Sequence, residues 1–224
     1  MTPTVVFDVN ETLLDLAPVR VWFHDHFDDR PSAAEWFSEL LRLSFVSSVI
    51  NIYTPFTELA ANALTSVADK YRVAVSSHDL TTVSHLLTRL PPHRDSAPGI
   101  ELLKNAGFSV AALTNSPLTT AQAQLEHAEL APLFDAIMSV EMVERFKPHR
   151  SVYLAAAAQL SVEPSFLVMV AAHDWDVAGA MASGCQGVFI ARDGRSYSEA
   201  FPDPTFVAPD IETAATRIVG ASQP

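Results

Sequence analysis

The sequence is poor in cysteine, in basic residues and in long apolar runs. The single cysteine, Cys185, excludes an internal disulfide and favours a reducing, cytoplasmic setting. No stretch approaches the roughly 20 consecutive apolar residues of a membrane-spanning helix. The first residues do not show the basic and then apolar pattern of a secretion signal. The sequence therefore predicts a soluble protein that is not exported.

The 14 lysines and arginines are outnumbered by 26 acidic residues, which gives a formal net charge of −12. Nucleic acids and anionic membranes need clustered basic residues for their phosphates, so both are disfavoured as partners. A small anionic substrate remains compatible, provided that it binds at a local positive site. The length of 224 residues, 49% of them hydrophobic, suits one large domain or one domain with an insertion.

The stretch from Thr4 to Asp15 organises the rest of the chain. Apolar and β-branched residues run to Phe7 and end at an acid, Asp8, which is the pattern of a buried parallel strand. On this stretch alone two interpretations of Asp8 remain open. It could close a turn, where Asp is common. It could also be a nucleophile, because open α/β sheets bind ligands at the carboxyl ends of their strands and Asp can form a covalent ester.

A helical pattern of about eighty residues follows this strand in place of a short crossover. Helices are predicted near 17–28, 32–50, 55–72 and 77–89. Their start signals are a capping box at Ser32 and Glu35, Thr54 before Pro55, and Ser77. The segment around Pro91, Pro92 and Pro98 is then predicted as a return linker.

From residue 98 onward, helical and strand-like segments alternate, which predicts a parallel, doubly wound sheet. The predicted elements are helix 98–106, strand 108–114, helix 117–129, strand 136–140, helix 149–160, strand 166–171, helix 176–183, strand 187–191, strand 205–207 and helix 210–219.

Four short motifs follow strand-like runs in a fixed order: Asp8-x-Asn10-x-Thr12, Thr114-Asn115-Ser116, Lys147-Pro148 and the acid Asp176. Together they resemble the four sequential motifs of the haloacid dehalogenase superfamily, and within it the type II L-2-haloacid dehalogenases. The resemblance extends from about Val5 to Arg192. It implies a Rossmann-like core formed by residues 1–15 and 93–224, with an inserted helical cap of residues 16–92.

The resemblance leaves two reactions open. Phosphatases of this superfamily hold Mg²⁺ with the nucleophilic Asp and acids of the fourth motif, and a second Asp acts as their general acid. That second position is Asn10, which cannot protonate a leaving alkoxide. Ala172 stands where many of them have a metal-binding Asp. Because Mg²⁺ needs oxygen ligands, these changes favour a reaction without metal or other cofactor. A Mg²⁺-dependent phosphatase acting on a small phosphorylated metabolite stays as the alternative, with Asp174 as a spare ligand.

Hydrolytic dehalogenation of short (S)-2-haloacids through an aspartyl ester is therefore the favoured function. The resemblance implies that Asp8 displaces the halide and that water hydrolyses the ester. Thr12 would hold Asp8, and Lys147 would keep it ionised. Asp176 would position or deprotonate the water. His173 is either a structural histidine or a second group that helps to activate water.

Substrate contacts are predicted around these catalytic residues. Free amides at a helix start form an anion site, and in the resembling family the positions of Asn115 and Ser116 bind the substrate carboxylate. Tyr153 matches a tyrosine of the dehalogenase site, where it would donate a hydrogen bond. Asn10 is placed with the substrate-binding residues, and Trp175 would form an apolar wall.

The halide contact is the main departure from the family pattern. The resembling enzymes bind the departing halide with an arginine near the start of the second cap helix, and that position here is Phe37. Arg42 and Arg20 are the nearest candidates to replace it. Trp36, Phe37 and Phe45 could instead provide an apolar lining or form the cap core. The resembling enzymes are often homodimers, which extends to this chain as an expectation.

Overall fold

The computed structural model describes residues 3–28 and 30–221. Within these residues six strands form one sheet in the order β3-β2-β1-β4-β5-β6, and every neighbouring pair is parallel. The strands are β1 Thr4–Phe7, β2 Ser109–Thr114, β3 Ala136–Ser139, β4 Leu167–Ala171, β5 Gln186–Ile190 and β6 Phe206–Ala208. The predicted α/β class with a doubly wound parallel sheet is confirmed.

The described residues also form nine α-helices. They are α1 Ala17–Phe27, α2 Ser32–Ile50, α3 Phe56–Tyr71, α4 Ser77–Leu87, α5 Ser96–Asn105, α6 Leu118–His127, α7 Arg150–Gln159, α8 Asp174–Ala182 and α9 Ile211–Ala221. None of these helices combines the length and the apolar character needed to cross a membrane.

Strand β1 lies in the middle of the sheet, between β2 and β4. All four of its residues are buried, as the apolar pattern predicts. Since both of its neighbours run in the same direction, the loops after β1, β2 and β4 emerge at one edge of the sheet. The residues that follow these three strands are thereby brought together.

Helices α1 to α4 occupy the chain between β1 and α5. Their aromatic side chains pack together, with Phe23 contacting both Phe27 and Trp36 at ring-centroid distances of 5.4 and 5.3 Å. The chain leaves and returns at adjacent points, because Asp15 N–H donates to the Pro91 carbonyl at 2.8 Å. This arrangement is compatible with a cap inserted into a core, and the boundaries at residues 16 and 92 stay a prediction.

The predicted capping box at the start of α2 is wrong. Ser32 is the first residue of the helix, the N-cap is Pro31, and none of the described side chains caps this end. Glu35 instead accepts hydrogen bonds from Lys70 Nζ and Tyr71 Oη of α3, both at 2.7 Å. The Glu35 carboxylate, which the local pattern predicted to bind the backbone at the start of α2, therefore makes a contact between two helices instead.

The next two helix starts also differ from the prediction. Helix α3 has Pro55 as its N-cap and no side-chain cap, so Thr54 does not have the predicted role. The capping box of α4 is formed by Ser76 and Asp79, one residue earlier than the prediction at Ser77. The offset follows from the extended backbone of Ser76, which lets its hydroxyl reach the third amide of the helix.

Candidate active site

Asp8 lies at the carboxyl edge of the sheet, immediately after β1. Its backbone N–H donates to the Val170 carbonyl of β4 at 3.0 Å, so the residue is held by the sheet itself. Thr12 Oγ1 donates to Asp8 Oδ2 at 2.6 Å and accepts from the Ala172 amide at 2.9 Å. With its proton and its acceptor both engaged, Thr12 fixes the plane of the Asp8 carboxylate.

Lys147 lies at the centre of the site, fully buried. Its ammonium donates to Asp8 Oδ1 at 2.7 Å, to Asp176 Oδ2 at 2.7 Å and to the Leu113 carbonyl at 2.9 Å. A lysine has three N–H donors, so all of them are used. The Lys147 amide also donates to Asn115 Oδ1 at 2.9 Å. The loop after β2 and the loop before α7 are therefore joined directly behind Asp8.

The pKa values of these groups follow from burial and charge. Burial raises the pKa of Asp8, but Lys147 and His173 outweigh it and hold that pKa well below its usual range. Burial lowers the pKa of Lys147, whereas its two carboxylate partners bring it above the ordinary value. Burial and the nearby Asp8 charge raise the pKa of Asp176 against the attraction of Lys147. At neutral pH, Asp8 is ionised beside a lysine that stays protonated.

Tyr153 lies behind the site and is fully buried. Its hydroxyl donates to Asp176 Oδ1 at 2.7 Å, with the Asp176 carbonyl at 3.0 Å. Because α7 packs against α8, the Tyr153 hydroxyl binds the catalytic candidate Asp176 instead of making the predicted contact with substrate. This packing needs Gly179, where an added Cβ would lie 2.4 Å from Pro148 Cβ and 2.8 Å from Tyr153 Oη.

His173 lies over Asp8 and contacts a second carboxylate. Its Nδ1 is 3.2 Å from Asp8 Oδ2, and its Nε2 is 3.0 Å from Glu11 Oε2. Ionised carboxylates only accept hydrogen bonds, so each ring nitrogen carries a proton and the ring is an imidazolium. Burial lowers the pKa of His173, but its two carboxylate partners raise it to about 9. A protonated ring cannot take a proton from water, so this geometry does not support the predicted help in water activation.

Glu11 belongs to the site although the sequence did not predict it there. Its carboxylate accepts from His173 and from Arg195 Nη2 at 2.9 Å. Burial raises the pKa of Glu11, yet these two partners lower it to about 2. The only sequence signal was an acid at an unspecified position of the first motif, and nothing local distinguishes it from a solvated side chain.

A small cavity of about 20 Å³ opens beside Asp8, which is room for roughly one water molecule. It brings together six of the predicted residues and three others, and is lined by Asp8, Asn10, Phe37, Leu41, Phe56, Thr114, Asn115, His173 and Trp175. Phe37 and Trp175 lie nearly parallel to the His173 ring, at centroid distances of 5.7 and 5.1 Å. The wall is therefore aromatic around one cationic ring.

Asn10 is fixed from two sides. Its Nδ2 donates to Ser116 Oγ at 3.3 Å, and its Oδ1 accepts from Gln124 Nε2 at 3.0 Å. A second small cavity shares Asn10, Phe37 and Phe56 with the first, and its wall is mostly apolar. Gln124 was not predicted, since a glutamine within a helical pattern carries no signal for this contact.

The predicted anion site at the start of α6 is partly occupied by the protein. The Leu118 amide donates to Glu141 Oε2 at 2.6 Å, and the Ser116 amide donates to Thr114 Oγ1 at 3.1 Å. Ser116 and Asn115 are buried, and Asn115 lines the cavity beside Asp8. Two of the amides expected to be free are thus already paired, one with the carboxylate of Glu141 from the turn after β3 and one with the Thr114 hydroxyl.

Neither predicted arginine reaches the cavity. Arg42 pairs with Glu39 at 2.6 Å, and its side chain is 58% exposed. Arg20 pairs with Asp15, and its side chain is 46% exposed. The predicted halide contact from Arg42 is therefore not made, because the α2 surface that carries it faces away from Asp8 and offers Glu39 one turn earlier.

Of the other two aromatic residues predicted in the cap, one lies in the cap core and the other supports the cavity lining. Trp36 Nε1 donates to the Ala60 carbonyl at 2.9 Å, and its burial places it in the cap core. Phe45 contacts Trp175 edge to face at 5.3 Å, so it supports the cavity wall from behind.

Comparison with known proteins supports the family resemblance that the four motifs indicate. Residues 2–184 match the haloacid dehalogenase-like hydrolases. The (S)-2-haloacid dehalogenase of Pseudomonas sp. (strain YL) is 27% identical over 217 residues, which cover 96% of this chain and 91% of that protein. The (S)-2-haloacid dehalogenase 4A of Burkholderia cepacia is 28% identical over 191 residues, with coverages of 84% and 83%.

Among solved structures, the L-2-haloacid dehalogenase of Xanthobacter autotrophicus with covalently bound chloropropionic acid has the same fold. Its TM-score is 0.91 at 23% identity, and the match covers 100% of both chains. The family match includes the four motifs and most of the chain. This protein therefore belongs to the haloacid dehalogenase-like hydrolases.

Proposed function

We propose that this protein is a hydrolytic dehalogenase that converts short (S)-2-haloacids to 2-hydroxyacids without a metal ion. The observation that carries the proposal is the state of Asp8, an ionised carboxylate at the edge of a small cavity, held by Thr12 and paired with Lys147 and His173. Such a group can displace a leaving group directly. The names of the relatives, which are haloacid dehalogenases, agree with this chemistry.

In the first step an Asp8 carboxylate oxygen attacks C2 of the substrate. The new bond is a carbon–oxygen ester bond, and the carbon–halogen bond breaks with its electron pair leaving on the halide. Because the attack is a displacement, the configuration at C2 inverts. A halide needs no proton to leave, so Asn10 is no handicap at the position where a phosphatase carries its general acid.

In the second step water attacks the carbonyl carbon of the Asp8 ester. The ester bond to Asp8 breaks, the product leaves with the original Asp8 oxygen as its hydroxyl, and Asp8 regains an oxygen from water. Lys147 lies against Asp8 and stabilises the negative charge that develops on the carbonyl oxygen. Asp176 is the candidate that positions or deprotonates the water; it is fully buried and connected to Asp8 through Lys147.

The substrate class follows from charge and volume. Asp8 and Asp176 share the Lys147 cation, and His173, which contacts Asp8 and Glu11, places a protonated ring on the cavity wall, where it attracts a substrate carboxylate. The cavity beside Asp8 is small, and the neighbouring cavity has apolar walls. Cavities this small disfavour a long alkyl substituent at C2, and the cap has to move before even a short haloacid can enter.

A phosphatase fits the same residues less well. Both Asp8 oxygens already contact protein donors, and a bound Mg²⁺ would have to displace an ammonium or an imidazolium from them. Ala172 provides no carboxylate where many phosphatases of the superfamily have one. The Asn10 side chain is held by Ser116 and Gln124 and cannot protonate an alkoxide.

Three further features belong to the proposal. We take residues 1–15 and 93–224 as the catalytic core and residues 16–92 as a cap that closes over Asp8. We take the protein to be cytoplasmic, on the single cysteine, and a homodimer, on the family resemblance.

The test compares two reactions on one preparation. Halide release from L-2-chloropropionate is measured with a chelator present, and phosphate release from p-nitrophenyl phosphate is measured with Mg²⁺. We expect metal-independent halide release that Asp8→Ala abolishes and that the control Asp174→Asn retains. Phosphate release that needs Mg²⁺, without halide release, would overturn the proposal and favour the phosphatase.

A single turnover in ¹⁸O-labelled water tests the ester directly. With enzyme in excess over substrate, the label is expected in the peptide that contains Asp8 and not in the product hydroxyl. Label in the product would mean that water attacks C2 itself.

A further inference from the structure

Glu11 has a backbone conformation that glutamate rarely adopts. Its φ is +60°, in the left-handed region where a Cβ is strained and glycine is not. Its side chain is only 11% exposed, and its carboxylate is paired with His173 and Arg195. The contacts of its carboxylate hold this strained, nearly buried acid in place between Asp8 and Thr12. Of these two partners, His173 is the buried one.

The His173 ring depends on both of its acceptors. Asp8 and Glu11 face its two nitrogens directly, and the side chains stacked on it, Phe37 and Trp175, carry no charge. If either carboxylate were removed, one N–H would lose its partner in a site that is 7% exposed. Each acid therefore stabilises the doubly protonated ring through its own ring nitrogen.

The surrounding charges act on His173 through these two acids. Lys147 lies on Asp8, and Arg195 and Arg20 lie on Glu11, at 2.9 and 4.0 Å. These cations keep both acids ionised, and ionised acids are the acceptors that the imidazolium needs. During the reaction Asp8 becomes an ester and loses its charge, so among the described residues Glu11 is then the only carboxylate in contact with the ring.

We propose that Glu11 is a positioning residue that keeps His173 doubly protonated beside Asp8 throughout the reaction and thereby sets the alkaline limit of activity. This inference rests on the proposed dehalogenase function. Its physical content is that the cation on the cavity wall that meets an anionic substrate is His173, and that Glu11 keeps this ring protonated to a higher pH than Asp8 alone would. When His173 becomes neutral at high pH, the cavity loses that cation and the substrate carboxylate is repelled.

The chain offers a matched control for the strained backbone. Glu129 also has a left-handed φ, of +58°, but it is exposed at the end of α6, remote from Asp8. The variants are therefore Glu11→Gln, Glu11→Gly, Glu129→Gln and Glu129→Gly. Both glycine variants relieve the same backbone strain, and only the Glu11 variants remove a partner of His173.

The first measurement is kcat/KM for halide release from L-2-chloropropionate between pH 6 and pH 10.5. The wild type and both Glu129 variants are expected to lose activity with a pKa of about 9, the value of His173. In both Glu11 variants the pKa of this activity loss is expected to be about one unit lower. The value of kcat/KM is then roughly fivefold lower than in the wild type at pH 9 and less than twofold lower at pH 7. An unmoved alkaline limb would overturn the inference.

The second measurement is the NMR titration of the His173 ring. Its signal is assigned as the one that is absent from the spectrum of the His173→Asn variant. This titration does not depend on turnover. We expect the ring to titrate near pH 9 in the wild type and about one unit lower in Glu11→Gln. Titration at an unperturbed value in the wild type, or an equal value in both proteins, would overturn the inference. If the wild type releases no halide, the proposed function fails while this titration still decides the role of Glu11.

Discussion

Replacement of Lys147 by methionine tests the electrostatic organisation of the site. The variant keeps the length of the buried stem and removes only the ammonium. In the structure this ammonium contacts Asp8 Oδ1 and Asp176 Oδ2, both at 2.7 Å, with all three side chains at most 7% exposed. Lys147→Met therefore leaves two buried carboxylates facing each other without the cation between them.

The size of the effect can be worked out from these distances. At 2.7 Å and an effective dielectric constant of about 20, each ion pair is worth about 6 kcal/mol. The cost of burying the charges offsets much of this attraction. When one partner of a buried pair is removed, the measured loss is about 3 to 5 kcal/mol. We expect Lys147→Met to lower the free energy of unfolding by that amount, which is a large share of a typical stability of about 5 to 15 kcal/mol.

The loss should depend on pH in a defined direction. In the variant, mutual repulsion raises the pKa of one carboxylate above its value of about 3.9 in the unfolded chain. When the pKa of a group is higher in the folded state than in the unfolded state, its contribution to stability is fully present below the unfolded-state pKa. That contribution is lost as the pH rises through the folded-state pKa. The deficit relative to wild type should therefore be smaller at pH 5 than at pH 7, and it changes by up to about 1.4 kcal/mol per pH unit and proton.

The assay is urea unfolding followed by tryptophan fluorescence at pH 5 and pH 7. The control is Lys104→Met, which removes a salt bridge with Asp135 whose side chains are 33% and 46% exposed; its expected cost is below about 1 kcal/mol. Adding Asp176→Asn to Lys147→Met should recover part of the loss, since one uncompensated charge is gone. A loss for Lys147→Met no larger than that of the control, or one that is equal at both pH values, would refute the reasoning.

Two further substitutions test how the site is supported. Tyr153→Phe removes a hydrogen bond to a buried carboxylate and should lower the free energy of unfolding by about 1.5 to 3 kcal/mol, measured by urea unfolding; a change within error would mean that Asp176 does not need this donor. Gly179→Ala places a methyl group 2.4 Å from Pro148 Cβ and should cost about 1 to 3 kcal/mol and lower kcat for halide release by displacing the Lys147 segment. Gly220→Ala, which meets nothing within 4 Å in α9, is the control and should be neutral or stabilising; equal behaviour of the two glycine variants would contradict the packing argument.

The parts of the site that follow strands could be predicted from the sequence. Apolar runs ending in Asp8 and in Thr114 mark parallel strands, and parallel strands bring their carboxyl ends to one edge. Asp176 lies just past β4, and Lys147 lies further beyond β3; their contact with Asp8 was predicted from the order of the motifs. The structure brings these groups within hydrogen-bond distance of one another.

The parts that depend on tertiary pairing could not be predicted. Glu11 contacts His173, and Glu141 contacts the amide at the start of α6; both are acids whose neighbours in sequence give no hint of their partner. Arg42 is a different case, because its partner Glu39 lies one turn earlier on the same helix, a local pair that the sequence alone could have indicated. For the two acids, a long charged side chain can reach several places, and only the folded chain decides among them.

The central place of β1 also has a consequence for biosynthesis. Of the described strands β1 is translated first, yet its two partners begin at Ser109 and Leu167. Its three apolar residues, Val5, Val6 and Phe7, therefore have no partner strand on either side while the helical segment and most of the remaining chain are translated. Interrupted translation products would expose an adhesive, unpaired strand, and chaperone demand for this protein should depend on how quickly the ribosome reaches β4.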